Sequence, residues 1–208
     1  MRAADDADVR VTVVSDRVAA ALSDTITPQG LVAVVRTEAK TTVRDVVSQR
    51  PRLVVVLVAV NDPGNVGTVI RTADAAGADA VVLADGCVDP HNSKCIRASA
   101  GSIFNLPVVR GGSIRDVAQS LHDADMTVAA TTLTADRDLY DEADALSGPT
   151  AWLFGNEAHG LADDVVAAAD LAVRIPIHGQ AESLNLAAAA AICLYTSARL
   201  QQPNAATT

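Results

Sequence analysis

The sequence predicts an α/β fold built around a mainly parallel sheet. Short apolar runs typical of strands alternate with patterns typical of helices along most of the 208 residues. From Leu53 onward the strand-like runs are mostly continuous rather than alternating in polarity, which is typical of strands buried on both faces of a parallel sheet. An apolar fraction of 50% is ordinary for a folded protein and argues against general disorder.

The predicted elements follow one another in β–α order. The strands are residues 11–14, 31–35, 53–60, 80–84, 127–131, 151–154 and 171–175. The helices are residues 15–22, 65–77, 113–124, 161–169 and 183–199, with a further short helix expected inside residues 38–50. Asn65 and Gly77 are expected to cap the helix between them, since asparagine is a good N-cap and glycine a good C-cap.

Residues 51–200 hold most of these elements and are expected to form the main domain. Residues 1–37 supply only a strand, a helix and a strand, which is too little to bury a core. They are therefore either a fragment of a smaller domain or an extension of the main one. Residues 38–50 are polar and predict a linker, and residues 201–208 predict a flexible tail.

Acidic residues outnumber basic ones by 25 to 16, which gives a net charge of −9. Residues 110–174 alone carry a net charge of −8, and the remainder is close to neutral. This distribution predicts weak non-specific binding to nucleic acid but does not exclude a shaped RNA target. The longest apolar run, residues 53–60, is too short to span a membrane, and the acidic N-terminus is unlike a secretory signal. A cytoplasmic protein is expected.

Several well-known cofactor and metal sites are not supported. There is no G-x-G-x-x-G turn after a strand, no G-x-x-x-x-G-K-[ST] loop and no G-x-S-x-G elbow. Cys87, His91 and Cys95 are spaced four residues apart, but a structural zinc site usually has four ligands and a tight cysteine pair, so no metal is predicted. Three cysteines, an odd number, suit a reducing compartment.

Polar residues follow the most apolar strand, in the segment N-D-P-G-N-V-G-T-V-I-R of residues 61–71. Gly67 would let a ligand or another backbone approach closely, and Arg71 lies one helical turn later. The alternative is that Gly67 serves helix packing and that Arg71 pairs with Asp74 on the surface.

Two further polar loops follow predicted strands. Residues 155–160, G-N-E-A-H-G, carry Asn156, Glu157 and His159 at the carboxyl end of a strand, where ligands bind in open α/β sheets. The alternative is an ordinary turn whose polar residues bind no ligand. Residues 175–185 lead into an alanine-rich helix that is apolar nearly all round, which favours burial in a core or a subunit interface. Ser183 and Asn185 could cap that helix or contact a ligand.

Together these segments resemble the SpoU (TrmH-like) branch of the SPOUT RNA methyltransferases, and most of all its rRNA-modifying members. The family's three motifs match in order: Asn65, Gly67 and Arg71; Gly155, Glu157 and Gly160; Ile175, Pro176, Ser183, Leu184 and Asn185. The resemblance runs from about residue 51 to residue 200 and includes residues 93–109. Residues 11–35 resemble the last part of the N-terminal RNA-binding domain found in the rRNA-modifying members.

The resemblance implies an α/β fold with a C-terminal deep trefoil knot, a homodimer, and transfer of a methyl group from S-adenosyl-L-methionine to a ribose 2′-hydroxyl, in rRNA more than in tRNA. The implied catalytic residues are Arg71, Asn65, Glu157, Ser183 and Asn185. The implied cofactor-binding residues are Gly155, Ile175, Leu184, Thr131, Thr132 and Asn185.

Binding to RNA requires ligands for phosphate groups. The candidates are Arg71, Lys94, Arg97 and Arg110, with Arg50 and Arg52 as further possibilities. Five aromatic residues are too few for a stacking platform, so recognition is expected to rely on phosphates and RNA shape.

The chemistry needs a ribose 2′-hydroxyl to lose its proton as it attacks the methyl group. In the family, the residue matching Arg71 is proposed to take that proton. Arginine holds its proton tightly, so we interpret Arg71 as a group that orients the target phosphate or hydroxyl. Two alternatives stay open: a catalytically inactive knotted protein that binds RNA or assists ribosome assembly, and a Rossmann-type oxidoreductase, which would lack its glycine fingerprint.

Overall fold

A computed structural model describes residues 4, 6–23, 25, 27–35 and 41–201. The chain divides into two compact units, Met1–Ala39 and Lys40–Thr208. The predictions made for residues 36–40 and for the tail beyond Gln201 lie outside the described residues.

In the first unit helix α1 (Asp16–Ala21) confirms the helix predicted at residues 15–22, and Ser15 is its N-cap. The strands predicted at residues 11–14 and 31–35 are wrong, because the described backbone forms no strand in either range. No residue of α1 is buried, and the side chains of Val13 and Val34 are 81% and 100% exposed. A strand needs a paired neighbour and a buried face, which a valine-rich sequence does not supply by itself.

The second unit alternates strands and helices. Its strands are β1 (Leu53–Leu57), β2 (Ala80–Ala84), β3 (Val108–Gly112), β4 (Thr127–Thr131), β5 (Arg137–Asp138), β6 (Thr150–Phe154) and β7 (Leu171–Arg174). Its helices are α2 (Val43–Ser48), α3 (Pro63–Ala76), α4 (Ser93–Ala98), α5 (Ile114–His122), α6 (Ala143–Leu146), α7 (Asp163–Ala167) and α8 (Leu186–Gln201). Short 3₁₀ turns lie at Ser102–Phe104 and Leu139–Asp141. None of the helices in the described ranges has the length and apolar character needed to cross a membrane.

The seven strands form one sheet in the order β3-β2-β1-β6-β4-β7-β5, and each of these strand pairs is parallel. This confirms the predicted α/β fold with a parallel sheet. Strand β6 lies between β1 and β4, so Val55 of β1 pairs with Trp152 of β6. Because all strands run the same way, the loops that follow β1, β4, β6 and β7 meet at one edge of the sheet.

Helices cover both faces of the sheet. Leu53, Val55 and Leu57 pack into the layer that contains α3 and α8, whereas Val54 and Val56 pack into the layer that contains α2, α5 and α7. Burial on both sides explains why β1 has no polar position.

The start of α3 differs from its prediction. Asp62, rather than Asn65, is the N-cap, and its carboxylate accepts hydrogen bonds from the backbone nitrogens of Gly64 and Asn65 at 2.6 and 3.0 Å. Pro63 suits the first helical position because its fixed φ is helical and it needs no hydrogen-bond acceptor there. The predicted C-cap is confirmed, since Gly77 adopts the left-handed conformation with φ 74°. The Asn65 side chain is therefore available for contacts outside the helix.

The last helix also starts later than predicted. Helix α8 begins at Leu186 rather than near residue 183, and Oδ1 of Asn185 accepts a hydrogen bond from the backbone nitrogen of Ala187 at 2.9 Å. Asn185 thus has a capping role, one of the two roles considered for it. Residues 183–185 belong to the loop that precedes the helix.

Candidate active site at the carboxyl edge of the sheet

A cavity of about 460 Å³ opens where β4, β6 and β7 end. Its walls come from the loops that follow these strands and from the start of α8. The lining includes Thr131, Thr132, Leu133, Thr134, Phe154, Gly155, Glu157, His159, Ile175, Ile177, Glu182, Ser183 and Leu184. Its volume lies in the range of about 300–1,000 Å³ that is usual for small-molecule sites.

Most of the residues predicted to bind a cofactor meet at this cavity. Thr131, Thr132, Gly155, Ile175 and Leu184 all line it. The sixth predicted residue, Asn185, lies at the start of α8 and is not part of the lining. The structure therefore brings five of the six together, and their role in binding stays a prediction.

The Glu157 loop (residues 155–160) closes on itself through backbone hydrogen bonds. The backbone nitrogen of Asn156 donates to the carbonyl of Gly160 at 3.1 Å, and the nitrogen of Gly160 donates back at 2.8 Å. A Cβ atom at Gly155 would overlap the backbone of Gly160 and Leu161, so this position requires glycine. Gly160 adopts φ 67°, which also favours glycine. The two glycines of this motif are thus explained by the closure of a loop that presents Glu157 to the cavity.

Residues of the three motifs touch one another through side-chain hydrogen bonds. Nδ2 of Asn65 donates to Oε1 of Glu157 at 2.7 Å, and Nδ2 of Asn185 donates to Oδ1 of Asn65 at 3.2 Å. These partners lie 92 and 120 positions apart in the sequence. The structure therefore joins three of the five predicted catalytic residues in one hydrogen-bonded set. A fourth, Ser183, lines the adjacent cavity.

The fifth predicted catalytic residue, Arg71, is exposed on α3 and does not line the cavity. Among the described residues it forms no ion pair within 4.0 Å. The considered pairing with Asp74 is not among these ion pairs. Oδ2 of Asp74 accepts a hydrogen bond from Nδ2 of Asn105 at 2.8 Å. Arg71 is therefore exposed and outside the ion pairs found among the described residues.

Gly67 serves the close packing of α3 against α4. A Cβ atom at this position would overlap the carbonyl oxygen of Cys95 and lie 2.7 Å from the Cβ of Ala98. The packing alternative for Gly67 is therefore the one the structure supports, and close approach of a ligand is not needed to explain this glycine.

The residues predicted to contact RNA differ in whether a carboxylate lies beside them. Nζ of Lys94 pairs with Oδ2 of Asp62 at 3.0 Å, and Nη1 of Arg110 lies 4.0 Å from Oδ1 of Asp89. Arg97 is exposed and forms no ion pair with any described residue. The hydrogen bond from Lys94, followed by that from the backbone nitrogen of Asn65, holds the pKa of Asp62 below its usual value. Arg52 lies at the amino end of β1, at the sheet edge opposite the cavity.

The three cysteines are buried or partly buried and are not paired in disulfides. The Cys87 thiol donates to the carbonyl of Leu57 at 3.3 Å, while Cys95 and Cys193 are buried in the core. Burial raises the pKa of Cys95 to about 11, so its thiol stays protonated at neutral pH. Across the part of the chain that the structure describes, no group of three or more His, Cys, Asp and Glu residues is arranged to hold a metal ion.

Several residues that line the cavity were not among the predicted catalytic or cofactor-binding residues, and Asn156 is one of them. Asn156 hydrogen-bonds through its side chain to Ala59, which lies just after β1. The position of Asn156 in a short loop with a glycine at each end was the one sequence feature that could have indicated its role. Its hydrogen-bond partner lies 97 positions away in the sequence, so no local pattern identifies the contact.

Comparison with known proteins gives a consistent family assignment. Residues 52–195 match the SpoU rRNA Methylase family. The chain is also similar to the 23S rRNA (guanosine(2553)-2′-O)-methyltransferase RlmP of Bacillus subtilis. The identity is 38% over 187 residues, which cover 90% of this chain and 72% of that protein.

Two structures solved with AdoMet are similar to this one. The rRNA methyltransferase from Sinorhizobium meliloti matches with a TM-score of 0.73 and 36% identity, over 80% of this chain and 63% of that chain. The SpoU methyltransferase AviRb from Streptomyces viridochromogenes matches with a TM-score of 0.66 and 35% identity, over 70% of this chain and 59% of that chain. The match thus spans less than two thirds of either solved protein. The resemblance drawn from the three motifs is confirmed: the chain belongs to the SpoU rRNA methylase family.

Proposed function

We propose that this chain transfers a methyl group from S-adenosyl-L-methionine to a ribose 2′-hydroxyl of ribosomal RNA. The observation that carries the proposal is the hydrogen-bonded set of Glu157, Asn65 and Asn185, which joins the three family motifs beside the cavity. The name of the Bacillus subtilis relative, a 23S rRNA 2′-O-methyltransferase, supports ribosomal RNA as the substrate.

The cavity suits S-adenosyl-L-methionine in size and in chemistry. Ile175 and Leu184 offer apolar contacts for a flat base, and the hydroxyl groups of Thr131 and Thr132 offer hydrogen bonds for polar atoms. Gly155 also lines the cavity, where its backbone is available for hydrogen bonds to a ligand. The bound cofactor supplies an electrophilic methyl group, and the residues of the chain hold and orient the reactants.

The remaining task for the chain is to place the ribose and to handle one proton. Arginine retains its proton in proteins, so we assign Arg71 to orienting a target phosphate or hydroxyl rather than to accepting the proton. Its exposed position without an ion-pair partner among the described residues supports this role. In this proposal Arg71 and the target ribose are held in place by Asn65, Glu157, Ser183 and Asn185. Lys94, Arg97 and Arg110 are exposed and supply phosphate contacts in this proposal.

We extend the proposal to a C-terminal trefoil knot, a homodimer and a cytoplasmic location. Support for the knot comes from the sheet order, in which β6 inserts between β1 and β4 while β7 lies on the other side of β4. Support for a dimer comes from helix α8, which is apolar but leaves Ala188 and Tyr195 exposed, so a second subunit could cover this part of the helix. Support for the cytoplasmic location comes from the proposed ribosomal RNA substrate. We also propose that residues 1–37 derive from an N-terminal RNA-binding domain.

Two measurements test the proposed function. Calorimetry with S-adenosyl-L-methionine should show binding, and tritiated cofactor should label deproteinised 23S rRNA at a ribose 2′-oxygen. Mapping of 2′-O-methyl sites would then identify the nucleotide. An absence of cofactor binding at millimolar concentration, combined with binding of the RNA, would favour the inactive RNA-binding alternative instead.

A further inference from the structure

We infer that Asn156 is a positioning residue that holds the Glu157 loop against the end of β1 and so sets the place of Glu157, an inference that rests on the proposed function. The Asn156 side chain is half-buried and uses both ends of its amide. Its Nδ2 donates to the carbonyl of Ala59 at 3.0 Å, and its Oδ1 accepts from the backbone nitrogen of Ala158 at 2.8 Å.

The backbone of Asn156 contributes two more bonds within the loop, both with Gly160. Three of its four hydrogen bonds therefore shape the loop internally. The fourth, to Ala59, attaches the loop to a separate segment of the chain. Among the four bonds of Asn156, this is the one that can set where the loop lies relative to the end of β1.

Ala59 is placed to act as an anchor. It adopts φ 54°, a left-handed conformation that is uncommon for a residue with a side chain. A Cβ atom at Gly86 would lie only 3.3 Å from Ala59, so Ala59 is packed closely on that side. Its carbonyl also accepts a hydrogen bond from Nδ2 of Asn61 at 3.1 Å. Ala59 precedes the N-cap of α3, Asp62, by three residues.

Two neighbouring residues of the loop thus bind the same short segment of the chain. Asn156 binds Ala59, and Glu157 binds Asn65. A single hydrogen bond between two side chains in contact with water is too weak to hold a loop in one orientation. The bond from Asn156 goes to a rigid backbone carbonyl and is half-buried, so it can define the orientation in which Glu157 meets Asn65.

The test compares Asn156→Ala and Asn156→Asp with Asn61→Ala. Asn61 is a matched control because it donates to the same carbonyl but lies outside the loop. The readouts are S-adenosylhomocysteine affinity by calorimetry, kcat and KM for methyl transfer from tritiated S-adenosyl-L-methionine to deproteinised 23S rRNA, hydrogen exchange of residues 156–161, and the melting temperature.

Asn156→Ala should lower kcat about tenfold or more, because small misplacements of positioned groups have large effects on rate. It should also weaken S-adenosylhomocysteine binding and speed exchange at Ala158 and Gly160, while KM for the RNA stays within about twofold. Asn156→Asp retains the acceptor for the Ala158 nitrogen but loses the donor to Ala59. It should therefore keep slow exchange at Ala158 and lose kcat as the alanine variant does.

The control separates positioning from general damage. Asn61→Ala should match the wild-type protein in kcat, affinity and loop exchange. Wild-type kcat in Asn156→Ala or Asn156→Asp overturns the inference, as does an equal loss in Asn61→Ala. If the wild-type chain neither binds S-adenosylhomocysteine nor transfers methyl groups, the proposed function fails. The hydrogen exchange of residues 156–161, compared between Asn156→Ala and Asn61→Ala, then still decides whether Asn156 anchors the loop.

Discussion

Asn185 donates a hydrogen bond from Nδ2 to Oδ1 of Asn65 over 3.2 Å, although the two residues lie 120 positions apart. The same Asn65 side chain donates from Nδ2 to Oε1 of Glu157 over 2.7 Å. Asn65 therefore uses the acceptor and the donor of its amide at once. The third and second motifs meet through this one side chain, which makes it sensitive to substitution.

Replacing Asn65 with alanine should lower methyl transfer by about a hundredfold, since it removes both contacts that orient the neighbouring groups. The affinity for S-adenosylhomocysteine should change little, because Asn65 does not line the cavity. Transfer of tritiated methyl groups and calorimetry measure the two quantities. Asn105→Ala is the matched control, because Asn105 also contributes an amide bond to α3, at Asp74. A normal rate in Asn65→Ala would contradict the proposed contact set.

Arg71→Ala should abolish methyl transfer but spare cofactor binding and stability. Arg71 is exposed and has no ion-pair partner among the described residues, so its loss leaves no buried group unpaired. Single-turnover assays measure methyl transfer, calorimetry measures cofactor affinity, and a thermal melt measures stability. Normal turnover in Arg71→Ala would remove Arg71 from the catalytic set.

Gly155→Ala should eliminate cofactor binding, because the added methyl group would overlap the backbone of Gly160 and open the Glu157 loop. Gly148→Ala is the control, since nothing lies within 4 Å of a Cβ at that position. Calorimetry with S-adenosylhomocysteine should show no binding for the first variant and wild-type affinity for the second. Retained affinity in Gly155→Ala would mean that the loop does not shape the cofactor site.

Ser197→Ala should reduce the free energy of unfolding by about 1–3 kcal/mol, because it leaves a buried indole N–H without a partner. The bond it removes runs from Nε1 of Trp152 to Oγ of Ser197, 2.9 Å long and buried between β6 and α8. Thr196→Ala, in the same helix, removes only a hydroxyl bonded to the carbonyl of Ile192 and should be close to neutral. Urea denaturation compares the variants, and equal stabilities would contradict the assigned bond.

The ion pair of Lys94 with Asp62 should give a measurable pH dependence. The pKa of Asp62 is lowered in the folded protein, first by the hydrogen bond from Lys94 and then by that from the backbone nitrogen of Asn65. This contribution to stability is therefore present at neutral pH and is lost as the pH falls below the ordinary carboxyl value of 3.8. Asp62→Ala should reduce the free energy of unfolding at pH 7 by about 1 kcal/mol through loss of the helix cap.

Substitution of the lysine tests the cause of the shift. In Lys94→Met the pKa of Asp62 should rise toward its ordinary value, which carboxyl NMR titration can follow. Arg97→Met serves as the control, since no ion pair of Arg97 is found in the described part of the chain. An unchanged Asp62 titration in Lys94→Met would show that the backbone bonds alone cause the shift.

The architecture of the second unit could be predicted because burial on both faces of a strand excludes polar residues. That constraint is local, so β2 and β4 match residues 80–84 and 127–131. Strands β3 and β5 were not predicted. The first contains Arg110 and two glycines, and the second has only two residues, so neither has a distinctive pattern. Residues 11–14 and 31–35 show the opposite error, in which a strand-like composition has no paired strand in the described structure.

The sequence by itself determined the fold class, the family and which polar residues follow the strands, since these depend on composition and spacing along the chain. Only the tertiary structure decided how those residues meet. It showed that Asp62 caps α3 and leaves Asn65 to bridge Glu157 and Asn185, and that Asn156 is bound to Ala59. The physical reason is the sheet order: β6 lies beside β1 although the two strands are far apart in the chain, and no local pattern encodes that pairing.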